Sequence, residues 1–350
     1  MNTKVKILDE DNLDMKVITE AGNIIRNGGL VAFPTETVYG LGANALDPKA
    51  VEKIFIAKGR PQDNPLIVHI AEMEDIKPLA ANIPPTAFKF MQNFWPGPMT
   101  IILPKSSVIP GVTSAFLDSV GIRMPSNVIA RELIKAARVP IAAPSANISG
   151  RPSPTDVERC IEDLDGKVDL ILGGAVCNFG LESTVVDCTV SPCCILRPGG
   201  ITLEMLQKIE EKVYIDPAIM QKAEGKNKPK SPGMKYKHYA PNAPVKIVKG
   251  NLNKTIAKIN EMVENYIGEN KVVGIIATDE TKELYKNALV ISVGSRHNLL
   301  SVSKNLFETL RIFDDNKVDV IISEAFEEKG IGLAIMNRLN KSAGFDIIKV

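Results

Sequence analysis

Residues 58–70 read KGRPQDNPLIVHI and join a predicted helix to a predicted strand. Asp47 is placed to cap the helix, apolar residues recur at helical spacing after it, and the run LIVHI predicts a buried strand. Between the two elements Gly59 separates Lys58 from Arg60, and a residue without a Cβ lets a ligand approach the backbone. Cations around a glycine suit an anion-binding loop. A solvated helix C-terminus carries the same cations, and on these residues alone it is the more common case.

The chain has 350 residues and a formal net charge of +1, so no global field attracts nucleic acid or an anionic membrane. The length predicts about two domains with ample core. The five cysteines include no C-x-x-C pair, and none of the three histidines has metal-ligand spacing from a cysteine, which argues against a zinc site. The odd number of cysteines predicts reduced thiols in a cytoplasmic protein. A charged N-terminus and the lack of a membrane-length apolar run predict no signal peptide and no membrane contact.

Three segments follow from the order of the patterns. Residues 1–213 mix strands and helices irregularly, which predicts an α/β domain with a mixed sheet and strands near 5–8, 30–33, 66–70, 99–103, 120–124 and 170–172. Residues 214–244 are rich in Lys, Pro and Gly and predict a linker, which contains SPGMKYKHYAP at 231–241. Residues 245–350 alternate strands with helices and predict a smaller Rossmann-like parallel βα domain without a G-x-G-x-x-G dinucleotide site.

Capping residues set the expected starts of three N-terminal-domain helices. Asp11 or Asn12 is expected to cap the first helix, and Ser126 a helix that runs to residue 137. Thr155 opens a capping box for a third helix.

Polar loops follow several predicted strands of the first domain, where α/β folds commonly bind ligands. PTETVYGLG at 34–42 and PSANISG at 144–150 are two of them. Arg123 interrupts an apolar strand, so it lies either on a solvated face or points inward at a carboxylate or phosphate. Such loops suit a small acid plus a polyphosphate and predict a nucleotide-binding transferase. The residues concerned are Lys58, Arg60, Arg123, Arg197, Thr35, Ser145, Asn147 and Ser183.

Lys58-Gly59-Arg60 followed by Ser145-Ala146-Asn147 resembles the K-x-R…S-x-N signature of the YrdC-like family, and the loop 34–42 resembles that family's N-terminal loop. The linker and the domain after it resemble the long, two-domain form found in the L-threonylcarbamoyladenylate synthase family. The resemblance covers essentially the whole chain. It implies a YrdC-like twisted mixed-sheet domain, with the C-terminal domain matched by size and strand–helix order.

The resemblance implies a nucleotidyltransferase that forms threonylcarbamoyl-AMP and pyrophosphate from L-threonine, bicarbonate and ATP, for threonylcarbamoyladenosine in tRNA. A threonine carbamate would attack the α-phosphate, which explains the missing Walker motif. Without an enzyme nucleophile, acceleration must come from positioning and charge stabilisation. Mg²⁺ is expected to enter with ATP, and no protein metal ligand is evident. The implied partner is the downstream tRNA threonylcarbamoyl-transferase machinery, with a direct tRNA contact as a lesser expectation.

The resemblance also implies roles for individual residues. Lys58 and Arg60 meet the triphosphate or the carbamate as catalytic residues. Arg123 binds the threonine carboxylate, in a pocket completed by Thr35, His69 and Ser183. His69 has a second interpretation, as a hydrogen-bonded core residue. The linker is expected to act as a lid that brings Tyr236 and His238 to the nucleotide. The implied nucleotide contacts are Gln62, Ser119, Ser145, Asn147, Ser153, Arg197, Tyr236 and His238.

Two alternative functions are also compatible with the sequence. A YrdC-like domain can present a concave basic surface, so the chain could be a non-catalytic module that binds double-stranded RNA or tRNA. A carbamoyl-transfer maturation enzyme can contain the same domain, although such enzymes carry additional N-terminal catalytic and zinc-finger segments. The near-neutral charge argues mildly against the first, and the lack of C-x-x-C argues against the second.

Overall fold

The computed structural model describes residues 2–221 and 239–350, so Tyr236 and His238 lie outside the described residues. The described chain forms two compact units. The first contains residues 2–149 and 153–219, and the second contains residues 150–152, 220–221 and 239–350. The domain limits at residues 213 and 245 remain sequence predictions.

The strands of the first unit are β1 Lys4–Ile7, β2 Val31–Phe33, β3 Gly40–Asn44, β4 Ile67–His69, β5 Met99–Pro104, β6 Ser119–Arg123, β7 Ile141–Ala142, β8 Leu170–Gly173, β9 Thr184–Asp187, β10 Cys194–Arg197 and β11 Tyr214–Ile215. Its helices are α1 Met15–Arg26, α2 Pro48–Lys58, α3 Pro85–Phe94, α4 Val128–Ala137, α5 Val157–Leu164 and α6 Leu203–Gln207. They form one sheet in the order β1-β8-β2-β3-β7-β4-β6-β5-β9-β10-β11. Parallel and antiparallel pairs alternate irregularly along it, which confirms the mixed α/β prediction.

Helix α2 and its ends follow the local sequence signals. The Asp47 side chain accepts a hydrogen bond from the Lys49 amide, and Pro48 is the first helical residue. Gly59 ends the helix in the left-handed conformation, at φ 60°. A Cβ built on Gly59 would meet nothing within 4 Å. The glycine is therefore required by its backbone conformation and not by the close approach of other atoms.

The other cap predictions were wrong by one to three residues. Asp14 caps α1, Asn127 caps α4 and Asp156 caps α5, each by accepting a backbone N–H. Neighbouring residues of the same polar type compete for the cap, and the packing of the helix decides which of them leaves the helical conformation. The loop 34–42 is also shorter than expected, because its end continues into β3, which pairs with β2.

The two faces of the sheet carry different side chains at its centre. Val68, Ile101 and Ile122 point from three adjacent strands into the larger apolar core. Side chains alternate along a strand, so the residue next to each of these points to the other face. There α1 and α4 pack over a second apolar cluster, which includes Ile141 of β7.

The second unit is an all-parallel five-stranded sheet in the order β14-β13-β15-β12-β16. Its strands are β12 Val245–Lys249, β13 Val273–Ala277, β14 Leu289–Ser292, β15 Val320–Glu324 and β16 Ile347–Lys349. Its helices are α7 Leu252–Gly268, α8 Leu299–Asp315 and α9 Ile331–Ser342. The parallel βα prediction is confirmed. Across the described ranges, no helix combines the length and apolar character needed to cross a membrane.

A fully buried carboxylate ends β15. Glu324 accepts hydrogen bonds from the hydroxyls of Thr281, at 2.5 Å, and Tyr285, at 2.6 Å, and pairs with the guanidinium of Arg296. Burial and this carboxylate raise the pKa of Tyr285. The network ties the loops after β13 and β14 to the end of β15.

Candidate active site

Strand register places three polar side chains on one face of the first sheet, and two of them, His69 and Arg123, were predicted site residues. His69 of β4 lies beside Arg123 of β6, and Thr100 of β5 lies opposite Arg123. Residues paired in this way share a face, and it is the face opposite Val68, Ile101 and Ile122. All three side chains are buried. The sheet thus carries a line of buried polar groups across its centre.

Ser183, the residue before β9, and Arg197 of β10 extend this line of polar groups. The Ser183 hydroxyl lies 2.8 Å from the Thr100 hydroxyl and accepts a hydrogen bond from Nη2 of Arg197 at 3.1 Å. Nε of Arg197 donates to the Ser183 carbonyl at 3.0 Å. Ser183 and Arg197, which were predicted for different subsites, are therefore in direct contact, and Thr100, which the sequence did not single out, contacts Ser183.

Arg123 points inward at a carboxylate, one of the two alternatives that the sequence left open. Its Nη2 lies 2.8 Å from Oε1 of Glu36, and both side chains are 5% exposed. Glu36 was missed as a site residue. Two features of the sequence could have indicated Glu36. It is the acid in the loop 34–42, and an arginine buried in a strand needs an anionic partner.

His69 is neutral at physiological pH. Burial, reinforced by the charge of Arg123, lowers its pKa to about 3. Its Nδ1 lies 3.2 Å from the Ile67 carbonyl oxygen, which accepts the ring proton in the tautomer protonated at that nitrogen. The ring packs edge-on against Phe33 at 6.3 Å. The ring is both a hydrogen-bonded core residue and a member of the polar face.

Lys58 holds the loop that carries the second half of the family signature. Its side chain is 1% exposed, and its ammonium donates to the carbonyl oxygens of Ser145 and Asn147. Within that loop the Ser145 hydroxyl donates to Oδ1 of Asn147 at 2.5 Å. The amide of Ser149 in turn donates to the Lys58 carbonyl at 2.9 Å. K-x-R and S-x-N are therefore two parts of one local structure.

Other predicted residues are held by local contacts. Nη2 of Arg60 donates to the carbonyls of Asn64 and Pro65, both at 3.4 Å. The Thr35 hydroxyl donates to the Val38 carbonyl at 2.6 Å, the arrangement of an ordinary hydroxyl turn.

Ser153 has a buried acidic partner. Its hydroxyl donates to Oε1 of Glu182 at 2.6 Å, and both residues are buried. Because its proton is committed to a carboxylate, Ser153 can only accept a hydrogen bond from a ligand. Glu182 is a second acid that sequence reasoning did not select.

Two predicted nucleotide contacts stand apart from these groups. Gln62 is exposed in the loop after α2. Ser119 starts β6, paired with Pro104, at the end of the strand away from Arg123. The roles assigned to all the site residues remain predictions.

A groove of about 1430 Å³ lies beside α1 and α2 and is lined by residues such as Met15, Asn23 and Ile56. None of the predicted site residues lines it.

Comparison with known proteins gives consistent matches along the chain. A family profile described as "telomere recombination" matches residues 23–199, and one described as "threonylcarbamoyl-AMP synthase, C-terminal domain" matches residues 201–344. A threonylcarbamoyl-AMP synthase from Pyrococcus abyssi is 49% identical, covering 94% of this chain and 95% of the relative. One from Bacillus subtilis is 44% identical over the full length of both chains.

The fold matches a solved structure closely. The crystal structure of P. abyssi Sua5 complexed with L-threonine superposes with a TM-score of 0.94 at 47% identity, covering 99% of this chain and 100% of that one. The resemblance drawn from the two short signatures and the linker is confirmed. The chain belongs to the threonylcarbamoyl-AMP synthase family, in its full-length two-domain form.

Proposed function

We propose that this chain joins L-threonine, bicarbonate and ATP into threonylcarbamoyl-AMP, with release of pyrophosphate. The observation that supports the proposal is the buried polar face of the first sheet, where Arg123 lies among His69, Thr100 and Ser183, in a fold whose relative binds L-threonine. A buried guanidinium among neutral donors and acceptors suits the carboxylate of a small amino acid.

The reaction needs no covalent enzyme intermediate. Bicarbonate takes up a proton and loses water to give CO₂. The threonine ammonium loses a proton, the neutral amine forms a bond to the carbon of CO₂, and loss of a second amine proton leaves a carbamate anion. One carbamate oxygen then forms a bond to the α-phosphorus, and the bond to pyrophosphate breaks. Arg123 anchors the threonine carboxylate, and Lys58 and Arg60 offset the charge that accumulates on the carbamate and phosphates. Holding these reactants together and stabilising that charge supply the acceleration.

The nucleotide is assigned to the loop that Lys58 supports. Ser145, Asn147 and Arg197 hold the nucleotide in this proposal, and Ser153 accepts a hydrogen bond from a ribose hydroxyl or the adenine amine. We also assign Tyr236 and His238, which lie outside the described residues, to the exclusion of water from the intermediate. A deletion of residues 231–241 would then raise the yield of hydrolysed intermediate, whereas unchanged kinetics and yield would reduce the segment to a tether.

A resident metal ion does not fit the residues that the structure describes. No group of three or more His, Cys, Asp or Glu side chains in residues 2–221 and 239–350 could hold a metal ion. We therefore assign Mg²⁺ to the ATP that binds, as part of the substrate. The proposed setting is the cytoplasm, which supplies ATP and threonine, and the product passes to the machinery that transfers the threonylcarbamoyl group to tRNA.

The test is a reaction without RNA. The full chain is incubated with ATP, Mg²⁺, bicarbonate and L-threonine, and pyrophosphate and the adenylate are measured. Product that depends on threonine supports the proposal, and its absence would overturn it. Lys58→Ala should abolish turnover, while Lys49→Ala, which removes an exposed lysine from the same helix, should leave it unchanged.

A further inference from the structure

Glu36 and Arg123 form a pair with unused hydrogen-bonding capacity. Nη2 of Arg123 lies 2.8 Å from Oε1 of Glu36, so the charges are paired. The angles do not make this contact a hydrogen bond, and within the described residues neither oxygen of Glu36 and neither Nε nor Nη2 of Arg123 has a hydrogen-bond partner. Buried polar atoms without partners are rare in folded proteins, because each forfeits its hydration.

A ligand that satisfied both side chains would need two opposite functions. The guanidinium can only donate, so it requires an acceptor such as a carboxylate. The Glu36 carboxylate can only accept, so it requires a donor, and a cationic donor would also restore charge balance once an anion occupies Arg123. The imidazole of His69, on the same face, is neutral and supplies no competing charge. The α-ammonium and α-carboxylate of an amino acid provide both functions on adjacent atoms.

We propose that Glu36 accepts a hydrogen bond from the α-ammonium of the amino acid substrate while Arg123 pairs with its carboxylate, so that the ion pair selects the zwitterion. The inference rests on the proposed function and adds a specificity residue to its amino-acid subsite. Glu36 discriminates against hydroxy acids and other carboxylates that lack an amine. It also orients the nitrogen that must later carry the carbamate.

The experiment compares two ligands and two forms of the full chain. Binding of L-threonine and of 3-hydroxybutanoate, its analogue without the amine, is measured by calorimetry with the unaltered protein and with Glu36→Gln. In the unaltered protein, loss of the amine should weaken binding about 10- to 100-fold, the range for a hydrogen bond between charged partners. In Glu36→Gln, threonine binding should weaken by a similar factor, while the analogue should lose no affinity, because the neutral amide no longer repels its carboxylate.

Each outcome has one meaning. Threonine binding unchanged in Glu36→Gln would overturn the assignment of Glu36, and so would an equal loss for both ligands, which indicates a merely structural role. Glu36→Asp, which keeps the charge, should recover part of the threonine affinity, and ATP binding should be the same in all forms. If the unaltered protein bound ATP but not threonine, the proposed function itself would fail, together with this inference.

Discussion

The stability of the first unit should depend on pH through His69. This side chain is buried beside Arg123, and its pKa is lowered from the ordinary value of 6.5 to about 3. The folded protein therefore keeps the imidazole neutral where the unfolded chain already binds a proton. The contribution of this neutral ring is fully present above about pH 6.5 and is lost progressively as the pH falls toward about 3.

The magnitude follows from the difference in protonation. At about pH 5 the unfolded histidine lies roughly 1.5 pH units below its own pKa, while the folded ring is still neutral. Each unit corresponds to about 1.4 kcal/mol, so the free energy of unfolding should fall by about 2 kcal/mol between about pH 7 and about pH 5.

The chain offers a specific probe for this measurement. Trp95, its single tryptophan, is buried in the larger core of the first unit, and its indole N–H donates to the Met99 carbonyl at 2.7 Å. Urea unfolding followed by tryptophan fluorescence therefore reports on this unit. His69→Gln removes the titrating group and should show about 2 kcal/mol less pH dependence than the unaltered protein. Parallel pH profiles for the two proteins would refute the reasoning.

Three further changes test other parts of the structure. Gly59→Ala places a Cβ on a residue in the left-handed conformation and should lower the free energy of unfolding by about 1 kcal/mol in the urea assay. Gly59→Asn should lose less, because asparagine tolerates this conformation better. Equal stability of the unaltered protein and both variants would contradict this. Glu324→Leu leaves Arg296 without its buried partner and should destabilise the second unit by about 2 kcal/mol, seen as faster amide exchange in β15. Glu182→Gln should raise the KM for ATP about tenfold through the Ser153 hydroxyl, with the KM for threonine as the internal control.

Features set by neighbouring residues could be predicted from the sequence. The bounds of α2 depend on Asp47 at one end and Gly59 at the other, and both signals act within one turn of the chain. The parallel sheet of the second unit was predictable for a similar reason, because strands that alternate with helices favour parallel pairing. Cap positions were less predictable, since Asp11, Asn12 and Asp14 offer the same chemistry within four residues.

Contacts between distant segments could not be derived in this way. The sequence indicated that Arg123 interrupts an apolar strand, but the identity of its acidic partner depends on how the loop after β2 folds over β6. The Ser153–Glu182 and Thr100–Ser183 contacts depend equally on strand order and register. Serine, threonine and glutamate make these contacts and are common throughout the chain, so no local sequence pattern identifies the residues involved.

The distribution of the polar face along the chain has a consequence for folding. Its members lie on β4, β5, β6 and β10 and, in the case of Ser183, just before β9. They therefore meet only when these strands have paired with one another. Partly folded chains that hold only some of these strands lack the complete set. Forming so many long-range pairs is slow compared with local helix formation. In refolding, threonine-dependent turnover should return later than helical signal, and it would measure completion of the sheet instead of its beginning.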